Sequence, residues 1–366
     1  MYSLNVPKKI LFFSLSFGAM TVAHADKRTE KIEQAIENKE QNKKPASFFT
    51  FQLDNDLFRD TDHNYTNGIK LQYGRQFTNE DSLNLFENSL RRLLDKTHGD
   101  RGGRGRQVYD WSLSLQQYMY TPDSLTALTP PPGERPYSGW LGVEYSMNKH
   151  DAHTSSGISI SFGVTGDNSL ARAAQDTVHK IRGIELFQGW DSQTPAEFTF
   201  NVHLNRKHRV NSLENIKLGP IDFDGFLEYG ASIGTLRTAA YGGVMIRTGY
   251  NLPVDYSVPR LQVASTPPSF YLDDDSSMKS FSAYVFASLR ISAVAHDISI
   301  DGPIFRDHLY TAQSEPLVGE VIFGLGVRYK HFNLIYARTI RTDEFKGQNS
   351  SRHEFGSIQA GLNFRF

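Results

Sequence analysis

The chain has no cysteine among its 366 residues. No disulfide can staple it, and no thiol can act as nucleophile or metal ligand. Its formal net charge is −1. The basic excess that marks a general nucleic-acid binder is therefore missing, and no nucleic-acid partner is expected. A membrane-crossing helix is missing too: the apolar run Ile10 to Met20 is too short to span a bilayer, and no later segment is a continuous apolar run of helix length.

What the N-terminus does hold is the three-part pattern of an export signal. Lys8 and Lys9 supply positive charge, Ile10 to Met20 the short apolar stretch, and Ala23-His24-Ala25 a small-x-small cleavage site. Residues 1–25 are accordingly expected to be a signal peptide that sends the mature protein across the inner membrane. Segment 26–46 is rich in Glu, Lys and Gln, with only Ile32, Ala35 and Ile36 as an apolar stripe. It reads as a charged, solvated extension. Residues 47–366 form the folded body.

That body is dominated by strict alternation. In the last segment Ile358, Ala360, Leu362, Phe364 and Phe366 share one face, while Ser357, Gln359, Gly361, Asn363 and Arg365 share the other. The same pattern recurs at Ile69–Leu71–Tyr73, Trp111–Leu113–Leu115, Leu141–Val143–Tyr145–Met147, Ile158–Ile160–Phe162–Val164 and Val321–Phe323–Leu325–Val327–Tyr329. The opposite positions carry Ser, Thr, Asn, His, Arg or Gly. An apolar outside around a polar inside, in an exported and aromatic-rich chain, predicts an all-β fold: a transmembrane antiparallel up-and-down β-barrel of about 12 strands. The strands are expected near 48–55, 65–76, 108–119, 137–149, 154–165, 196–207, 218–233, 238–250, 280–297, 317–330, 331–342 and 354–366.

An even strand number puts both ends of the barrel chain in the periplasm, so the connections after odd-numbered strands face outward. One of them, 166–195, contains the clearest helix of the sequence, from Asp167 to Glu185: Asn168 or Ser169 can cap it, its interior is rich in Ala, and Gly183 can stop it. Gln175 and His179 stand four residues apart and share a helical face, which suggests an imidazole base held in one orientation by the amide. A surface histidine would fit the same pattern. At the neighbouring outward ends of strands 1 and 2, Asp54-Asn55-Asp56 faces Asp62, Tyr65, Thr66, Asn67 and Gly68. These oxygen donors are of the kind Ca²⁺ prefers, and they are also ordinary turn formers. Trp190 is expected at the lipid headgroup level. On the opposite side, 77–107 carries a second amphipathic stretch, Leu83 through Leu94, expected as an insertion at the barrel mouth.

Taken together, Phe51-x-x-Asp54-Asn55-Asp56, Tyr65-Thr66-Asn67-Gly68, Arg135-Pro136-Tyr137-Ser138-Gly139-Trp140, Gln175-x-x-x-His179, Gly189-Trp190-Asp191, Asp301-Gly302 and Glu344-Phe345 make the chain resemble the outer-membrane lipid A 3′-O-deacylase (LpxR-like) family. The resemblance runs from about Phe48 to Phe366. It implies a twelve-stranded barrel in the bacterial outer membrane, expected to be monomeric. Its active site would face outward and remove the 3′-linked acyl chain of lipid A, in lipopolysaccharide of the outer leaflet, by Ca²⁺-dependent ester hydrolysis. Carried over by motif, His179 is the base that activates water, Gln175 its neighbour, and Asn55, Asp56, Thr66 and Glu185 the residues around the metal. In one respect the chain departs from the family pattern: segment 120–135 has no lysine, and Arg135 is its only cation. Arg135 is thus the candidate contact to substrate. Two other readings remain open: a porin or structural barrel, and a serine-type acyl hydrolase built on His153-Thr154-Ser155, which parity places at the periplasmic end.

Overall fold

The computed structural model describes residues 46–55, 64–77, 83–98, 107–214, 216–253, 255–257, 260, 281–348 and 353–365. The expected signal and nearly all of the charged extension lie outside them. Twelve long strands run in sequence: β1 Ala46–Asn55, β2 Asn64–Phe77, β3 Val108–Thr121, β4 Ser138–His150, β5 Thr154–Thr165, β6 Phe198–Arg209, β7 Ile221–Gly234, β8 Arg237–Tyr250, β9 Phe281–Asp297, β10 Leu317–Tyr329, β11 Phe332–Arg341 and β12 His353–Arg365. A two-residue strand, Lys217–Leu218, adds to the start of β7. Each strand pairs antiparallel with its neighbours in the chain, and β1 pairs with β12, from Ala46 opposite Arg365 to Asn55 opposite Gly356. β6 meets β7 directly, from Asn201 opposite Gly234 to Arg209 opposite Phe226, so the sheet closes on itself as an up-and-down barrel.

Alternation along each strand fixes which side chains face out. Leu113, Leu115, Val143, Phe162, Val285 and Leu325 are exposed on the outer wall, while Gln72, Gln116, Glu144, Ser159 and Asn201 are buried inside it. A water-soluble sheet would bury the first set and solvate the second. The inversion is the arrangement of an all-β barrel in lipid.

Charged and aromatic side chains pack against one another inside the lumen. Asp224 is bracketed by Arg209 at 3.0 Å and Arg247 at 2.6 Å. The connection after β8 turns inward: Leu252 and Tyr256 are buried with Phe226 and Met245, and Arg260 reaches Glu228 and Glu320, each at 2.7 Å. Glu320 continues to Arg341 at 3.0 Å, Arg341 to Glu344 at 3.4 Å, and Glu344 to Arg135 at 2.7 Å. A ladder of alternating charge thus runs from the middle of the lumen to the end at which β11 stops and β12 starts.

Helix α1, Leu85–His98, departs from its expected position at the barrel mouth. Asn84 and Glu87 cap its start reciprocally, the amide oxygen accepting from the Glu87 N–H at 2.9 Å and the carboxylate from the Asn84 N–H at 3.0 Å. Its buried residues Leu90 and Leu94 pack on Phe77, Tyr109, Met147 and Ile158. By strand parity all four point away from the lumen. The helix therefore lies against the outer wall, because an apolar stripe finds its complement there and not in the polar interior.

Candidate active site

The candidate site occupies the end where β1, β3 and β5 stop. β5 runs into a single 3₁₀ turn, Gly166–Ser169, and then into helix α2, Ala171–Arg182. Leu170 takes a left-handed conformation (φ 58°) to turn the chain into the helix, and Gly183 (φ 69°) ends it. The cap forms one residue beyond the expected Asn168 or Ser169, yet the Ser169 hydroxyl still accepts from the Ala171 N–H at 3.3 Å. Ala171, Gln175 and His179 repeat every four residues and make up the buried face. Gly139 permits the close approach: a Cβ there would come within 2.2 Å of the Ser169 hydroxyl and 2.4 Å of the Ala171 methyl.

The segment after α2 folds back beneath it. Met119, Tyr137, Ala171, Phe187 and Trp190 form one buried cluster. Trp190 is fully buried within it, which corrects the expectation of a headgroup-level ring; its indole N–H needs a partner away from water and donates to the Gln175 amide oxygen at 2.7 Å. His179 is 3% exposed. Its ring lies 5.6 Å from that of Phe187, and its Nδ1 stands 2.7 Å from the Glu185 main-chain oxygen. A carbonyl oxygen only accepts, so Nδ1 is the protonated nitrogen in this contact, and in the corresponding tautomer the lone pair is on Nε2. The ring is therefore oriented by a main-chain oxygen, while the Gln175 side chain holds the indole; the Gln175 amide nitrogen is buried with no hydrogen-bond partner.

The expected metal donors fall around the same end. Asn55 is the last residue of β1 and pairs with Asn67 of β2. The ladder between β2 and β3 passes from Tyr65 directly to Asn67, so Thr66 is the extra residue of a bulge. Glu185 is exposed, its main chain engaged by His179. Asp56 lies outside the described residues. Among the described residues no group of three or more His, Asp or Glu side chains is arranged to hold a metal ion. One observation fits a cation nonetheless: the Asn67 side-chain oxygen, across from Asn55, is buried without a hydrogen-bond partner. An amide oxygen left without a partner, at a strand end opposite a second amide residue, is a hard donor of the kind Ca²⁺ takes.

Arg135, expected to meet substrate, is buried. Its guanidinium donates to Glu344 at 2.7 Å and to the Ser299 hydroxyl at 3.0 Å, and it lies 4.1 Å above the Tyr120 ring. Burial alone would raise the pKa of Glu344; Arg135, Arg341 and His353 outweigh it and hold the carboxyl well below the usual carboxylate range. The rest of the 135–140 motif is also structural. Trp140 stacks on Tyr118 at 5.2 Å and donates to the Thr199 hydroxyl at 2.8 Å. Arg172 on α2 is exposed and pairs with Asp191 at 2.6 Å.

A second constellation was not legible from spacing. In the lumen at the opposite end, His150 lies between the Ser155 hydroxyl, 2.8 Å from Nδ1, and Asp110, 2.5 Å from Nε2. The expected partner of Ser155, His153, is exposed and anchors its turn through the Asp151 carboxylate instead. The trio has the residue types of a hydrolytic triad. Ser155 is fully buried, however, Asn148 occupies the other Asp110 oxygen at 2.9 Å, and Tyr256 stacks over the His150 ring at 6.1 Å.

Comparison with curated protein sequences finds no match. Among solved structures, LpxR from Salmonella typhimurium superposes with a TM-score of 0.67 at 15% identity, covering 86% of this chain and 99% of that one. The β-domain of the Bordetella autotransporter BrkA reaches a TM-score of 0.38 at 9% identity, covering 88% and 99% of the two chains. A protein-family model described as outer membrane protein LpxR matches residues 11–364. With that match spanning nearly the whole chain, the chain belongs to the LpxR family of outer membrane proteins.

Proposed function

We propose that this protein is a lipid A deacylase, hydrolysing the 3′-linked acyl ester of lipid A in the outer leaflet. The observation that carries the reading is the state of His179: buried, fixed on α2, with its Nδ1 proton spent on the Glu185 carbonyl and its lone pair on Nε2. An imidazole oriented this way presents Nε2 as the nitrogen for general-base work. Nε2 takes a proton from water, and the water oxygen attacks the ester carbonyl. The tetrahedral centre collapses with loss of the sugar oxygen, which recovers the proton. The products are a free fatty acid and a 3′-hydroxyl, and no serine nucleophile is needed.

Asn55, Asp56, Thr66 and Glu185 are the residues that would hold Ca²⁺, with Asn67 as an additional oxygen. Bound there, the ion would supply positive charge for the developing oxyanion. Because Arg135 is committed to Glu344 and Ser299, it supports the rim from beneath. Lys180 and Arg182 on the exposed side of α2 are left as cations for lipid phosphate.

The test is release of fatty acid from purified lipid A by the detergent-solubilised protein, with and without Ca²⁺, for the wild type and His179→Ala. Activity that survives both chelation and the substitution would overturn the reading. The serine-based alternative keeps one observation in its favour, the Ser155–His150–Asp110 geometry, and predicts that Ser155→Ala is the inactive variant.

A further inference from the structure

Helix α1 has a face that the barrel does not cover. Its inner stripe, Leu90 and Leu94, is seated on the outer wall, and contacts on either side tie it across several strands. Phe86 lies 5.6 Å from the Tyr145 ring, Asp95 accepts from the Tyr109 hydroxyl at 2.6 Å and from Lys149 at 2.8 Å, and Arg206 of β6 donates to the Thr97 carbonyl at 2.6 Å. A guanidinium on the last carbonyls also suits the negative end of the helix dipole. The helix is thus fixed across β2 to β6, at the end of the barrel where β1 begins and β12 ends.

At this level the outer wall is aromatic. Tyr73 and Trp111 approach edge to face at 5.8 Å, Trp111 and Tyr145 stack at 6.3 Å, and Phe77 and Tyr109 stack at 5.3 Å. Such a girdle marks the boundary between hydrocarbon and headgroups. Beyond it, toward the middle of the wall, Leu113, Leu115 and Val143 are exposed to lipid. The free surface of α1 continues both layers. Phe86 and Leu93, seven residues apart and so on one stripe, are 48% and 42% exposed. Arg92 and Lys96, four residues apart on the stripe away from the wall, are exposed as well. An apolar edge continuous with the lipid-facing wall, beside a basic edge, is the pattern of a helix lying in a membrane interface.

We propose that α1 is an interfacial anchor embedded in the phospholipid leaflet on the periplasmic side. Phe86 and Leu93 dip into the acyl boundary, and Arg92 and Lys96 face lipid phosphates. The occupant of the free face is the bilayer itself, and the helix sets the depth at which the barrel sits.

The absence of cysteine makes the test direct. Single variants Phe86→Cys and Leu93→Cys, with Leu113→Cys as the lipid control and the exposed Asp343→Cys as the water control, would carry nitroxide labels on the full barrel in phosphatidylethanolamine/phosphatidylglycerol vesicles. Heat-dependent gel mobility would confirm folding of each. The labels at 86 and 93 should favour oxygen over a water-soluble nickel chelate, close to the ratio at 113. The ratio of position 343 at both would overturn the proposal, as would shielding from both reagents, the sign of a protein partner. Arg92→Glu with Lys96→Glu should shift the label at 93 toward the nickel reagent; an unchanged ratio would overturn the headgroup pairing.

Discussion

The contact between His179 Nδ1 and the Glu185 carbonyl, 2.7 Å long, leaves Nε2 as the nitrogen that can accept a proton. Removal of a positioned base lowers rates by roughly 10²–10⁴-fold. His179→Ala and His179→Asn are therefore expected to be nearly inactive in the fatty-acid release assay while still forming a heat-modifiable barrel. Gln175→Ala should lose less activity, because it strips the acceptor from the buried Trp190 indole and not the base from the water. Its cost is expected in stability, about 1–3 kcal/mol for an orphaned buried donor, read as a lower thermal midpoint. The four-residue spacing of Gln175 and His179 made their shared face legible. What spacing along the chain does not encode is a main-chain oxygen six residues on, or Arg135 meeting Glu344 across 209 positions. For the same reason Arg135 read as a free cation. A buried pair that loses one member costs about 3–5 kcal/mol, so Arg135→Met should lower the thermal midpoint sharply. Arg135→Lys should recover only part of it, having no fork to bridge Glu344 and Ser299.

At the scale of elements, the strands were visible because a two-residue period is a property of the sequence itself, and each of the twelve expected segments overlaps an observed strand. The ends were less legible, since hydrogen bonding carries β2 and β3 past the last alternating residue. Helix α1 shows the other limit. Its amphipathic stripe was readable, but an apolar stripe can be satisfied at a barrel mouth or on the outer wall, and only the observed neighbours Met147 and Ile158 distinguish them. Helix α2 depends on a glycine on another element. Because a Cβ at Gly139 would crowd Ser169 and Ala171, Gly139→Val should displace the start of α2 and lower deacylation by an order of magnitude or more, since small misplacements of a catalytic group are costly. The barrel strands would stay paired. Wild-type activity with an unchanged circular dichroism spectrum would show that α2 is not held through this contact.

On the scale of the whole molecule, the polar lumen could have belonged to a pore. The ladder from Glu228 through Arg260, Glu320 and Arg341 to Glu344 and Arg135 crosses it instead. Purified protein in planar bilayers should accordingly show no steady open-channel conductance. The same ladder makes the rim of the candidate site sensitive to acid, and the sign follows from Glu344. Its folded pKa lies well below its ordinary value of 4.5, so the folded state binds the proton more weakly than the unfolded chain does. The stability it contributes is complete above pH 4.5 and is lost as the pH falls from there through the depressed folded value. Glu344→Gln removes the charge that Arg135, Arg341 and His353 surround. At pH 7 the variant should melt below the wild type, and the gap between them should narrow as the pH is lowered beneath 4.5. A gap that stays constant from neutral to acid pH would mean that the carboxylate charge of Glu344 contributes nothing to the rim, and that the ladder is held by shape and neutral hydrogen bonds alone.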